Sequence, residues 1–389
     1  MLAITHAHVV PVEDPAFDGT VLIEEGRITA LGPDVAVPEG AEVVDAAGAW
    51  LLPGLVDAHV HVGLHEEGEG VEGDDTNERT DSVTPGIRAL DAINPFDQGF
   101  DDALAGGVTT VNVNPGSANP IGGQAAALHT HGRYVEEMLL RSPSGVKSAL
   151  GENPKRSDPN KPKHPRTRMG TAYLIREALT RAQAWMDDED AGRDLAMEPL
   201  AAVLRGEIPW RQHCHRADDV ATALRLADEF GYRLVIDHGT EAHVLADVLA
   251  ERGVPVLIGP LMTSRSKPEL RARSVANPGK LAAAGVEISI ITDHPVVPIA
   301  FLALQASLAV KEGLDRDAAL RAVTINPAKV LGLGERLGSL RVGKDADVVL
   351  WSGDPLDAAS RATDVWIGGE RVGSTGPDGA FTVAARTGA

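Results

Sequence analysis

Residues 55–63 read LVDAHVHVG, an apolar run that ends in two histidines one residue apart. As a β-strand, the run puts Asp57, His59 and His61 on one face and Val56, Ala58 and Val60 on the other, because side chains alternate along a strand. In a closed barrel the valine face would pack against helices and the histidine face would look into the bore. An isolated His-x-His is more often a polar strand end than a ligand pair. Its meaning rests on whether further ligands occur at matching places downstream in the chain.

Downstream, short apolar strands alternate with longer amphipathic segments. Strand candidates recur at 107–114 (GVTTVNVN), 125–132 (AAALHTHG), 144–151 (SGVKSALG), 210–215 (WRQHCH), 233–239 (RLVIDHG), 254–260 (VPVLIGP) and 287–294 (EISIITDH). Helical periodicity fills 216–231, 241–253 and 298–313, with Asp218 and Glu241 in first turns where the helix dipole favours negative charge. With the opening strand there are eight units. This predicts an α/β fold, a (β/α)8 TIM barrel with its active site at the C-terminal ends of the strands. Residues 1–51 and 337–389 read as strands and predict a small composite β-sandwich domain built from both termini. The barrel then spans 52–336 with an insertion at about 153–208, where a Pro-rich basic loop (153–170) precedes two helices at about 171–187 and 192–205.

The polar residues gather at the strand ends. The fifth strand ends in His213-Cys214-His215, the sixth in His238 and the eighth in Asp293-His294. With His59 and His61, these would converge at one mouth of a barrel. Imidazoles and a carboxylate together form an N/O donor set for a catalytic divalent metal. His213 and His215 share a face, and either can be the fifth-strand ligand. Cys214 faces the helices. Asp57, one layer deeper on the histidine face, is expected to orient a ligand imidazole by a hydrogen bond.

These motifs, from PGLVDAHVH to TINPAKVLGLGERLGSLRVGKDADVVLW, resemble the amidohydrolase superfamily over essentially the whole chain. The likeness is to its imidazolonepropionase-related, prolidase-like branch. The resemblance implies one or two divalent ions, zinc foremost, with iron, manganese or cobalt as alternatives. It implies His59 and His61 as first-strand ligands, His213 (or His215) as the fifth-strand ligand, His238 as the sixth, and Asp293 as both ligand and proton shuttle. Two-metal members add a bridging glutamate or carboxylated lysine from a middle strand. VKSALGENPK offers Glu152, the favoured candidate, and Lys147. If neither binds, the site holds one ion, as in deaminases.

Substrate contacts are sought in the loops at that end. The acidic first loop offers Asn77 and Glu78. Cations for a substrate carboxylate are Arg168, Arg216 and Arg265, along with Lys155, Arg156, Lys161, Lys163 and Arg166 of the basic loop, and His215 is a further contact. His129-Thr130-His131 and His6-Ala7-His8 have ligand spacing but the wrong position, and read as structural. The implied activity is hydrolysis of a C–N bond in a small cyclic amide or dipeptide-like amide, with His238 helping to polarise the carbonyl. Alternatives are deamination of a small heterocycle at one metal, and a non-catalytic barrel scaffold.

A net charge of −20 argues against nucleic-acid binding, which uses clustered Lys and Arg. One cysteine, Cys214, permits no internal disulfide, in keeping with a cytoplasmic location. Neither a signal peptide nor an apolar run of membrane-spanning length is read. The expected partner is a small-molecule substrate, with a homo-oligomer open.

Overall fold

A computed structural model describes residues 1–156 and 164–386 of the chain. The chain opens with five strands: β1 (Leu2–Val9), β2 (Phe17–Glu24), β3 (Arg27–Gly32), β4 (Glu42–Asp45) and β5 (Trp50–Pro53). Eight more come next: β6 (Leu55–Val60), β7 (Val108–Val113), β8 (Ile121–His129), β9 (Leu139–Ala149), β10 (Trp210–Cys214), β11 (Leu234–His238), β12 (Val256–Ile258) and β13 (Ile288–Ile290). The chain closes with β14 (Val348–Trp351), β15 (Ala362–Ile367), β16 (Glu370–Thr375) and β17 (Phe381–Val383).

Among the described residues these strands form two sheets. The first and last groups share a nine-stranded sheet in the order β17-β16-β15-β14-β5-β1-β2-β3, with β4 beside β1. The two ends of the chain meet where β14 pairs antiparallel with β5, Val348 opposite Pro53. The middle group forms an eight-stranded sheet in sequence order, β6 to β13. It nearly closes into a barrel, because Asp293 N–H donates to His59 O (3.2 Å) and His61 N–H donates to His294 O (2.9 Å).

Each expected barrel strand overlaps one of these eight, but the regular (β/α)8 pattern does not hold. β8 runs antiparallel to both β7 and β9. The link 114–120 between β7 and β8 is too short for a parallel crossover, which takes about a dozen residues or more. The other neighbours pair in parallel. Alternating hydrophobicity marks a strand but carries no information about its direction, so this meander was invisible in the pattern.

The helices follow their apolar stripes. Ala217–Phe230 buries Val220, Ala223, Leu224 and Phe230 against the barrel, carries Asp218 and Asp219 in its first turn, and stops at Gly231, whose φ of 74° suits a C-terminal cap. The insertion helices are Arg168–Asp187 and Met197–Leu204, the first capped by Thr167 Oγ1, which accepts from Gly170 N–H at 3.0 Å. The segment 153–170 is therefore not wholly a loop: Asn153–Arg156 forms a helical turn and Arg168 already belongs to the long helix. Lys161, Lys163 and the side chain of Arg156 lie outside the described residues. No helix among the described residues is long and apolar enough to cross a membrane.

Candidate active site

β6 does not keep the simple alternation read from its sequence. Its pairing with β7 slips between Leu55 and Val56 and again between Asp57 and Val60. Such slips re-aim side chains relative to the pleat. Val56 and Ala58 pack with Val235, Leu257 and Ile291. The Asp57 carboxylate accepts from the backbone N–H groups of Thr292 (3.0 Å) and His59 (3.2 Å), and from the Thr292 hydroxyl. Asp57 thus fixes backbone where a ring contact was expected. Burial, partly opposed by these bonds, pushes its carboxyl up to about 7.

The ring of His59 is held by Asp237 instead, with Oδ2 lying 3.0 Å from Nδ1. Asp237 is a buried hub. Its Oδ1 accepts from Arg211 Nη2 at 3.0 Å, and its Oδ2 accepts from Lys147 Nζ at 3.2 Å. His59 Nε2 is left facing Asp293 Oδ1 at 3.5 Å and Lys147 Nζ at 3.1 Å. His61 Nδ1 sits 2.7 Å from Asn114 O, which fixes its proton there and points Nε2 at Asp293 Oδ1, 3.4 Å away. His238 repeats the arrangement, with Nδ1 2.9 Å from Gly259 O. A ring that donates from Nδ1 keeps a lone pair on Nε2, the orientation a metal ligand needs. It also leaves neutral His238 without an Nε2 proton to give a carbonyl oxygen, which favours a ligand role over the polarising one.

Two of these residues depart from extended backbone. His238 has φ 74° and Asp293 φ 55°, the left-handed region that non-glycine residues avoid. The turn at His238 has a visible effect. In register His213 pairs with Asp237 and Cys214 with His238. Alternation alone would send His238 outward with Cys214, which is buried in the main apolar cluster. The left-handed turn brings it back, and its ring centroid lies 4.9 Å from His59 and 4.5 Å from His213.

Donor atoms converge in two groups. His59, His61 and Asp293 offer atoms within 4.8 Å of one another, and so do His213, His215 and Glu269. Burial holds the His59, His213 and His215 rings well below the ordinary imidazole value, and lowers His238 to about 4. Neutral rings are the metal-binding form. For Asp293, burial works to raise the carboxyl, but the surrounding imidazoles outweigh it and hold it well below the usual carboxylate range. The residues present therefore fit a divalent cation in both lone-pair direction and charge state.

His59, His61, His213, His215, His238 and Asp293 face a cavity of about 440 Å³, also lined by His65, Asn77, Lys147, Asn153 and Lys267, whereas Glu269 does not line it. Of the two middle-strand candidates, Lys147 is the one beside the rings. Glu152 lies past Gly151, which bends the chain at φ 85°, and its Oε1 faces the backbone N–H of Glu269 at 3.5 Å. Asn77 lines the cavity, whereas Glu78 lines a smaller neighbouring pocket. The arginines are engaged elsewhere: Arg168 with Asp219 and Glu269, Arg216 with Asp218, and Arg265 with the carbonyls of Arg271 and Arg273. Lys155 and Arg166 do not line the cavity. His215 lines it and bonds Thr240 Oγ1. Away from it, His129 pairs with Asp347, His131 with Ala384 O, His6 with Asp45 and His8 with Asp18.

Sequence reasoning missed Asp237, Arg211, Lys267 and Glu269. Asp237 points inward with its register partner His213, but nothing in the sequence signalled this, because the left-handed turn at His238 brings both neighbours to the same side. Glu269 lies on the 3₁₀ turn Pro268–Leu270, where no periodicity applies.

A crystal structure of an amidohydrolase from Thermotoga maritima is 45% identical, matches with a TM-score of 0.93, and covers 96% of this chain and 99% of its own. The chain belongs to the amidohydrolase family. The family's profile matches residues 202–372 directly. This amidohydrolase is also 34% identical over 387 residues to the amidohydrolase tasK of Hapsidospora irregularis, a match covering 90% of this chain but only 39% of that longer protein. It is 28% identical over 375 residues to the imidazolonepropionase of Acidiphilium cryptum, covering 90% of each. Membership supports a hydrolase with the barrel-and-sheet architecture described.

Proposed function

We propose that this amidohydrolase cleaves a C–N bond of a small cyclic or dipeptide-like amide, with His59, His61 and Asp293 holding a divalent ion. The observation that carries the reading is the convergence of these three residues at the mouth of the barrel, with Asp293 facing the cavity at 16% side-chain exposure. Zinc suits the donors, as do iron, manganese and cobalt.

When bound, such an ion supplies Lewis acidity and makes hydroxide available near neutral pH. The chain supplies the rest. Asp293, ionised throughout the neutral range, accepts the proton of the attacking water. It then delivers that proton to the leaving nitrogen as the C–N bond breaks. Asp237, anchored by Arg211, lies against His59 Nδ1 and leaves Nε2 toward Asp293, where it would be available to hold the ion. His238 adds a further nitrogen. Lys147 is the middle-strand candidate this arrangement supports. Burial lowers its amine, and a neutral amine takes up carbon dioxide to give a carbamate and a proton, placing oxygen donors beside His59.

The test is Asp293→Asn, assayed on dipeptide and cyclic-amide panels with the metal-loaded enzyme. Turnover should fall at least ~1000-fold while far-ultraviolet circular dichroism stays unchanged. Activity within tenfold of wild type would sink the reading. Ammonia release without amide cleavage would redirect it to deamination.

A further inference from the structure

Lys267 lies in the loop after β12, and its side chain lines the cavity at 16% exposure. Among the described residues Lys147 is the other lysine that lines it, and no arginine does. Lys147 is 1% exposed and donates to Asp237 Oδ2, so it belongs to the hub beneath the rings. Asp293 is the carboxylate that lines the cavity; the other lining groups are imidazoles, amides, hydroxyls and apolar side chains. The steps at Asp293 give Lys267 no part.

Lysines usually extend into water, whereas this one is held at the cavity wall. Its Nζ donates to Asn153 Oδ1 at 3.1 Å. Asn153 Nδ2 in turn donates to Ser117 Oγ at 2.8 Å and stands 3.4 Å from His213 Nε2. That chain fixes the ammonium relative to the rings. Glu269 Oε2 stands 3.9 Å from Nζ, beyond hydrogen-bond distance. Glu269 is drawn away at Oε1, which accepts from Glu152 N–H (2.6 Å) and Arg168 Nη2 (2.9 Å). Thr263 and Ser266 of the same loop add two hydroxyls to the lining. A substrate group that enters here strips water from a largely buried ammonium. An anion compensates that loss with a charge-assisted hydrogen bond, and a neutral group does so poorly. A single ammonium with hydroxyls matches a carboxylate. A phosphate carries more charge and favours the bidentate arginines that this cavity lacks.

We propose that Lys267, positioned by Asn153, binds a carboxylate of the substrate and makes the enzyme selective for amides that carry one. The identity of the bond cleaved rests on the hydrolytic reading, while the selectivity for an anion rests on the cavity wall.

The experiment is isothermal titration calorimetry on the full metal-loaded chain. The probes are levulinate and longer methyl-ketone carboxylates, each paired with the neutral alcohol of the same chain. Their ketone stands for the amide carbonyl, and without a C–N bond they are not turned over. In at least one pair wild type should bind the acid about tenfold or more tightly than the alcohol. Lys267→Met should shrink that preference to about twofold or less by weakening the acid alone. Lys267→Arg should keep most of it. Asn153→Ala should reduce it with the alcohol's affinity unchanged, which a general loosening of the fold would not do. Arg216→Met removes a cation bonded to Asp218 outside the cavity, and should leave the preference intact. No acid preference in any wild-type pair overturns the proposal, and that comparison stands even if Lys267→Met proves unfolded by circular dichroism. A preference that folded Lys267→Met retains, as a carboxylate bound only to the ion would give, overturns it too. Lys267-dependent acid binding without turnover of any amide would sink the hydrolytic reading alone.

Discussion

Asp237→Asn is the substitution that tests the buried charge hub. The carboxylate has no exposed side-chain surface and serves two cations, Arg211 at 3.0 Å and Lys147 at 3.2 Å. Arg211 is fully buried, and its Nε and Nη1 already lack partners, so its hold on the structure is through Nη2, to Asp237 and to Ala58 O at 2.7 Å. Removing one member of a buried pair costs about 3–5 kcal/mol, because the other is left charged and uncompensated. Unfolding entropy scales to about 0.8 kcal/mol/K for a chain of 389 residues, so the cost appears as a fall in Tm of about 4–6 °C. Scanning calorimetry on metal-free protein isolates this effect from ligand binding. The control is Asp228→Asn, which breaks the exposed pair with Arg252 (2.8 Å) and should shift Tm by about 1 °C or less. The double variant Asp237→Asn/Arg211→Met should be less destabilised than the sum of the two single variants, since it removes both charges of the pair. A Tm for Asp237→Asn within 1 °C of the control would refute the reasoning.

Two further outcomes concern regions away from the cavity. Burial alone would depress the His129 imidazole, but Asp347 at 2.9 Å outweighs it and raises the ring above its ordinary value. The pair's stabilisation should be complete below about pH 6.5 and fade as pH rises through the raised folded value. Urea midpoints of wild type and His129→Gln should therefore converge from pH 6 to pH 9, and a pH-independent gap would contradict the pairing. At the junction of β5 and β6, a Cβ on Gly54 would run into the Thr109 side chain. Gly54→Ala should cost about 1–3 kcal/mol, and Thr109→Ala should recover part of it in the same denaturation assay.

The barrel strands and the sheet made by both ends were legible in the sequence because hydrophobic alternation and turn residues mark strands wherever they occur. Direction was not legible, so β8 stayed hidden as the antiparallel member. The gathering of histidines and Asp293 at strand ends was legible as well, since a polar residue closing an apolar run is a local signal. The residues around those donors were harder to read. Asp57 was misplaced because alternation was carried through two slips in β6 that leave no mark in its composition. Glu152 was preferred over Lys147 for standing at the end of its strand. The strand, however, stops at Ala149 and Gly151 bends the chain away. Glu269 depends on a loop packed across the barrel mouth, a proximity of 117 positions in sequence from Glu152 that only the fold creates.

The pairing of β5 with β14 has a consequence for biosynthesis. Pro53 and Val348 lie at opposite ends of the intervening barrel sequence, so β1 to β5 leave the ribosome long before the strand that covers the β5 edge exists. Chains fold from the N-terminus as they are made, and an uncovered strand edge invites pairing with other chains. The nascent N-terminal strands must therefore wait, exposed, until the barrel is complete. Arrival of β14 to β17 then closes the sheet and ends that period of risk. The strands translated after the barrel act as the latch for those translated before it.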